Sequence, residues 1–254
     1  MQSYLRIAFS RRWWWSTLFM LFAVGVMIRL GIWQLDRLAA RRAENTHIRA
    51  MHAAPALDLN TLDSSIDLGS MEYRAATARG TFAFEDQVAL RNQYWGIPDG
   101  PAEYGYHLLT PLLLEDGRAV LVDRGWIPGS YAEPASWRAF DQPGDAAVSG
   151  VLRLSQAEAE MGGLSTGQVP AGQRQDFWVL PDLASIARQI SYDLLPVYLQ
   201  QAPPAGEHAL PYKALPELVL TDGSHLGFAL QWFFYAGLVF FGYPVFLRKR
   251  NQGK

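Results

Sequence analysis

Two long apolar runs bracket a chain whose middle section alternates between apolar and polar positions. Residues 13–28 are almost unbroken in hydrophobic side chains, Arg29 interrupts, and residues 30–35 resume the run. A bilayer-spanning helix needs about 20 apolar residues, so 13–35 predicts one span. Trp13, Trp14 and Trp15 stand at its edge, where a ring with an apolar body and one polar N–H is favoured. Arg29 is close enough to the far end to snorkel outward. The run is too long for the core of a typical signal peptide and no A-x-A cleavage pattern follows, so an uncleaved anchor is predicted. The second run holds Gln231 and Pro244 but no charge, and predicts a span over 225–247.

Basic flanks orient such spans, because Lys and Arg collect on the cytoplasmic side. Arg6, Arg11 and Arg12 precede the first run, and Arg248, Lys249 and Arg250 close the second. Residues 1–12 and 248–254 are therefore expected in the cytoplasm and residues 36–224 on the extracytoplasmic side of the cell (inner) membrane. Arg37, Arg41 and Arg42 fall on that outer side, but they begin a long loop, and long loops translocate largely regardless of charge.

Between the runs the period changes twice. Residues 34–53 lack Pro and Gly and are rich in Ala, Arg and Leu, which predicts that the first helix continues as a stalk over 36–54 and stops at Pro55. From Tyr73 onward, β-rich runs appear at 75–84, 87–94, 106–115, 118–126, 148–154 and 195–200, with a short one at 177–180. Asp116-Gly117 separates two of them and predicts a hairpin. Residues 183–190 read as a helix capped by Asp182. Residues 162–172 carry four glycines without apolar periodicity and read as a loop; residues 202–216 carry four prolines and read as a linker. The expected fold is an α+β membrane protein. Two transmembrane helices flank a mainly antiparallel β domain, α+β or barrel-like, with a few helices.

Composition narrows the chemistry. Net charge is −2, far from the basic field that nucleic acid requires. The 254 residues include no cysteine, which excludes disulfides, thiolate metal sites and thiol nucleophiles. Gly163-Leu164-Ser165-Thr166-Gly167 fits the G-x-S-x-G pattern, but that motif needs a strand before it and a helix after it, and neither is predicted. His47 and His52 are five apart, off the i, i+4 spacing of a helical metal pair, and are read with Met51 as exposed stalk residues. His107 is expected to be a satisfied domain residue and His208 an exposed linker residue. No paired carboxylates, metal cage or phosphate loop is apparent, and the chain is not expected to be an enzyme.

Four blocks carry a resemblance. Gly31-Ile32-Trp33-Gln34-Leu35-Asp36-Arg37 stands at the exit of the first run. Arg79-Gly80-Thr81-Phe82 lies in the first β-rich run. Val120-Leu121-Val122-Asp123-Arg124-Gly125-Trp126-Ile127-Pro128 follows the Asp-Gly turn. Ser224-His225-Leu226-Gly227-Phe228-Ala229-Leu230-Gln231-Trp232-Phe233 opens the second run. In this order, between terminal spans, they resemble the Surfeit locus protein 1 family of cytochrome c oxidase assembly factors, over the whole chain. Ser224 and Phe228 depart from the Asn and Tyr expected there. The resemblance implies transient binding of haem a and help with its insertion into the oxidase core subunit. The core subunit is then a partner, with the haem a synthase and the lipid bilayer as others. A scaffold that holds the core subunit or the synthase without binding haem is the alternative.

The residues themselves admit two readings. Imidazole is a common axial ligand of haem iron, and Trp232 lies seven positions after His225, two helical turns on and on the same face. Phe228 falls between them. On residue types alone, His225 as an interfacial anchor and Trp232 as a packing residue are the simpler assignment; the resemblance carries His225 over as axial ligand and Trp232 as a haem contact. Arg124 pairs either with a haem propionate or, inside the domain, with Asp123 or Glu115. Arg37 is expected at a lipid headgroup beside Trp33. Gln34 and Gln231 are expected to hydrogen-bond each other across the two helices.

Overall fold

The computed structural model describes residues 8–63, 66–96, 101–157, 173–204, 206, 209–215, 218 and 220–252. The chain divides into two compact units, Met1–His47 with Val219–Lys254, and Ile48–Leu218.

Among the described residues, the first unit is built on two long helices. Helix α1 spans Trp14–Ala53 as one uninterrupted element, ending just before Pro55. The C-terminal helix, α3, spans His225–Gln252 and carries Pro244 inside it. Each holds a stretch long and apolar enough to cross a membrane. Their outward faces are apolar: Trp15, Phe19, Phe22, Phe234, Leu238 and Phe241 are all exposed. Water would penalise such a surface, whereas lipid tails match it. The helices run antiparallel and touch along their length. Ser16 and Thr17 share the Tyr243 hydroxyl at 2.8 and 2.9 Å. The Trp13 and Phe246 rings meet edge to face. Gly31 lies against the Phe233 ring so closely that a Cβ there would sit 2.5 Å from Phe233 Cε1. A small residue at this point lets the backbones approach.

The second unit is a β-barrel. Its strands are β1 (Leu57–Asp58), β2 (Ala75–Phe82), β3 (Val88–Trp95), β4 (Glu103–Leu113), β5 (Arg118–Pro128), β6 (Asp145–Leu154), β7 (Phe177–Trp178) and β8 (Asp193–Gln201). Neighbouring strands run β1-β2-β6-β8-β5-β4-β3-β7, and a further pairing of Thr81 and Phe82 with Leu113 and Leu112 joins β2 to β4. That pairing closes a ring of β2, β6, β8, β5 and β4. Within it only β5–β8 is parallel. This is a five-stranded Greek-key barrel of the OB type. The short strands β1 and β7 add parallel edges to β2 and β3.

Ring closure depends on Gly80, because a Cβ there would lie 1.9 Å from the Leu113 carbonyl oxygen. The hairpin at Asp116-Gly117 forms as its sequence dictates. Gly117 takes φ +86, a value that glycine adopts without strain, and the Asp116 carboxylate accepts from the Arg118 backbone N–H.

The barrel interior is filled by Ala78, Leu112, Val120, Val122, Leu152 and Leu199 among others. Strand β5 is buried on both faces, which is why it reads as a continuous apolar run. Val120 and Val122 point into the barrel, while Leu121 packs outward on Trp178, Leu183 and Ile186. The last two sit on the short helix α2 (Leu183–Ala187), capped by Asp182 through Ser185 N at 3.1 Å.

Several expectations need correction. The first strand ends at Phe82, and Phe84–Asp86 form a 3₁₀ turn. Pro134–Phe140, given no element above, form a 3₁₀ helix that buries Trp137. Part of the proline-rich segment is pinned to the barrel: Tyr212 and Trp126 exchange both backbone hydrogen bonds at 2.8 Å. The G-x-S-x-G segment, the glycine-rich loop and His208 lie outside the described residues.

Candidate functional site

His225 is the first residue of α3, and its side chain turns toward α1. Nδ1 lies 2.8 Å from Gln34 Oε1. The expected Gln34–Gln231 pair does not form. Gln231 Nε2 instead donates to the Tyr235 hydroxyl one turn further on. The antiparallel register that sets Ser16 and Thr17 against Tyr243 also brings Gln34 opposite His225. The sequence places an amide within each apolar helix but carries no signal for which polar group each would meet.

Trp232 is half-buried, whereas Phe228 is 46% exposed. Phe228 is turned away from the helix seam and widens an aromatic surface beside it. Arg37 is exposed on α1. Just beyond it, the turn leading into α3 is tied to α1. Asn45 donates to the Thr221 carbonyl oxygen at 3.0 Å, and Arg42 pairs with Asp222 at 2.8 Å. A cavity of about 260 Å³ lies between the helices, lined by Thr17, Met20, Phe240, Tyr243 and Leu247 among others.

Arg124 occupies a different setting in the barrel unit. It is 2% exposed. One guanidinium nitrogen donates to Gln87 Oε1 at 3.0 Å and another to the Phe140 carbonyl oxygen. The guanidinium also lies over the Phe82 and Phe84 rings, 5.1 and 5.0 Å from their centroids. Burial lowers its pKa to about 10, with the nearby Asp141 charge opposing the fall, so the group remains protonated at neutral pH. Gln87 Oε1 also accepts from Thr110 Oγ1. Arg124 is thus bound within its own domain. It donates to Gln87 and to the Phe140 carbonyl oxygen, with Asp141 acting only through its charge, rather than pairing with the expected Asp123 or Glu115.

Asp123 is committed to His107. His107 Nδ1 lies 3.0 and 2.9 Å from the two carboxylate oxygens, one of which also accepts from Gly125 N. Burial alone would lower the His107 pKa, but the charge and hydrogen bond of Asp123 outweigh it and raise the value. His107 is therefore satisfied, as expected; its partner was not foreseen, because the pair comes from two adjacent strands. On the same face, Trp126 stacks nearly parallel to Tyr212, with Trp95 alongside. Gly125 takes φ +117 and passes so close to Tyr212 that a Cβ would lie 2.5 Å from its carbonyl oxygen. The blocks around Phe82 and Arg124 meet here through the guanidinium–ring contact.

A cleft of about 530 Å³ opens beside Gln87 and Asp141, lined by Glu85, Arg138, Arg174 and Asp176. Its mixed charge selects neither an anion nor a cation. Among the described residues, no three His, Asp or Glu side chains gather to hold a metal ion.

A family model described as the SURF1 family matches residues 21–237. A SURF1-like protein of Monosiga brevicollis is 26% identical over 241 residues, covering 90% of this chain and 86% of the relative. One from Rickettsia bellii is 22% identical over 226 residues, covering 88% and 87%. An uncharacterised SURF1-like protein of Mycobacterium bovis is 26% identical over 235 residues, covering 88% and 80%. The matched span includes all four sequence blocks, together with both Gln34 and His225.

Proposed function

The chain is a member of the SURF1 family, and from that premise we propose that it is an assembly factor for haem–copper cytochrome c oxidase, holding haem a transiently at His225 and aiding its insertion into the oxidase core subunit. The observation that carries the reading is the Gln34–His225 hydrogen bond of 2.8 Å. It engages Nδ1, and among the described residues no hydrogen bond engages Nε2.

The residues present fit a haem. They supply one imidazole with an open ring nitrogen, an exposed aromatic at Phe228 and a half-buried one at Trp232. When bound, the haem supplies an iron with an axial position for a nitrogen ligand. The protein's own contribution is to hold the imidazole in place, line the apolar side with Trp232 and Phe228, and let go. Arg124 is left out of the contact set, because its burial and its internal partners occupy the guanidinium.

The outward apolar faces of α1 and α3 and the basic residues flanking both runs support insertion in the cell membrane. Both termini are then cytoplasmic and the barrel extracytoplasmic. The partners in this reading are the oxidase core subunit and the haem a synthase, and no catalysis is required of the chain, since the redox chemistry belongs to the cofactor. A second reading has its own support. The same Gln34–His225 bond also works as a plain helix–helix tie, and a scaffold that holds the core subunit or the synthase would need nothing more. The two separate on one experiment: haem content of the full-length protein purified from cells making haem a, beside His225→Ala. Loss of haem from a folded variant supports the first reading. Absence of haem from both, with the core subunit co-purifying, supports the scaffold.

A further inference from the structure

We infer that Gln34 is a positioning residue. Its side-chain carbonyl sets the tautomer and orientation of His225 so that Nε2 is the nitrogen presented for coordination. The inference rests on His225 being the haem ligand.

A neutral imidazole carries one ring hydrogen, and the nitrogen without it holds the lone pair. Gln34 Oε1 can only accept, so at 2.8 Å from Nδ1 it draws the hydrogen to that nitrogen and leaves the lone pair on Nε2. The opposite edge of the ring faces Gly223. A Cβ there would lie 3.4 Å from Cδ2 and 3.7 Å from Nε2, so glycine leaves more room beside the coordinating edge than any side chain would. Gly223 has φ +67, which a larger residue would adopt only with strain. One turn before Gln34, Gly31 seats the Phe233 ring, so helix packing fixes where the Gln34 amide sits along α3.

Ligating histidines commonly donate their second N–H to a carbonyl or carboxylate, which orients the ring and sets its basicity. A neutral amide orients without adding charge. A carboxylate in its place would make the imidazole a stronger ligand. The amide therefore suits a site that must release its haem.

The test titrates detergent-solubilised full-length protein with iron protoporphyrin IX, comparing the native chain with His225→Ala, Gln34→Leu and Gln34→Glu. Affinity is read by absorption and the iron–histidine stretch by resonance Raman of the ferrous form. Gln34→Leu is expected to weaken binding about 10- to 100-fold and to lower the stretching frequency. Gln34→Glu is expected to retain binding and raise that frequency. If His225→Ala abolishes the iron–histidine signal while both Gln34 variants match the native chain, the positioning role is wrong and His225 remains the ligand. If Gln34→Leu weakens binding and Gln34→Glu fails to restore it, Gln34 serves only helix packing and the inference falls. If His225→Ala binds as the native protein does, with the same signal, the ligand reading fails and takes this inference with it.

Discussion

Arg124 shows how a charge survives inside the barrel. Its guanidinium is desolvated, yet a carbonyl, an amide oxygen and two aromatic faces surround it, and the charge of Asp141 favours it from nearby. Arg124→Leu would leave the buried Phe140 carbonyl oxygen without its donor and Gln87 with Thr110 alone, and a buried acceptor left unsatisfied costs about 1–3 kcal/mol. Denaturant unfolding followed by the fluorescence of Trp126, Trp137 and Trp178 should record a loss of that order. His107 supplies a pH-dependent term of the opposite kind to an ordinary carboxylate. Its folded pKa lies above the usual 6.5, so the native state binds the proton more tightly than the unfolded chain. The stabilisation is complete below about pH 6.5 and is lost as pH rises through the folded value. Asp123→Asn should remove this slope, as measured by unfolding free energy between pH 5 and pH 9. Neither partner choice was readable in the sequence. Asp123 adjoins Arg124 in the chain, but successive strand residues face opposite ways, so proximity along a strand argues against contact.

At the scale of elements, Gly31 and Phe233 set the approach of α1 to α3. Gly31→Leu places a branched side chain where the Phe233 ring lies, pushing the helices apart and breaking the Gln34–His225 bond. Thermal stability in detergent should fall, and adding Phe233→Ala should recover part of it by making room. Elements with a strong local signal were legible in advance: the two long apolar helices, the α1 stop at Pro55, the Asp116-Gly117 hairpin and the Asp182 cap. Each is decided by neighbours within a turn or two. The parallel β5–β8 pair was not legible, because its register joins residues far apart in sequence. The 3₁₀ helix over Pro134–Phe140 was missed because it has no regular apolar period to announce it. The Gln34–His225 contact needed the register of two helices distant in sequence, which no local pattern encodes.

At the scale of the whole molecule, a barrel unit and a helical unit have opposite relations to solvent. The barrel hides its apolar side chains, while the helices display theirs. The absence of cysteine makes the proposed topology directly testable with single introduced thiols. A membrane-impermeant maleimide added to spheroplasts should label Glu133→Cys on the barrel and spare Lys249→Cys until the membrane is opened. The reverse pattern would place the barrel in the cytoplasm. Haem handling at His225 is tested most directly by the absorption spectrum of the full-length protein purified from cells that make haem a, run beside His225→Ala. A haem band is expected in the native protein and lost from a variant whose circular dichroism is unchanged. An equal band in both proteins, or none in either, would rule out haem binding through His225.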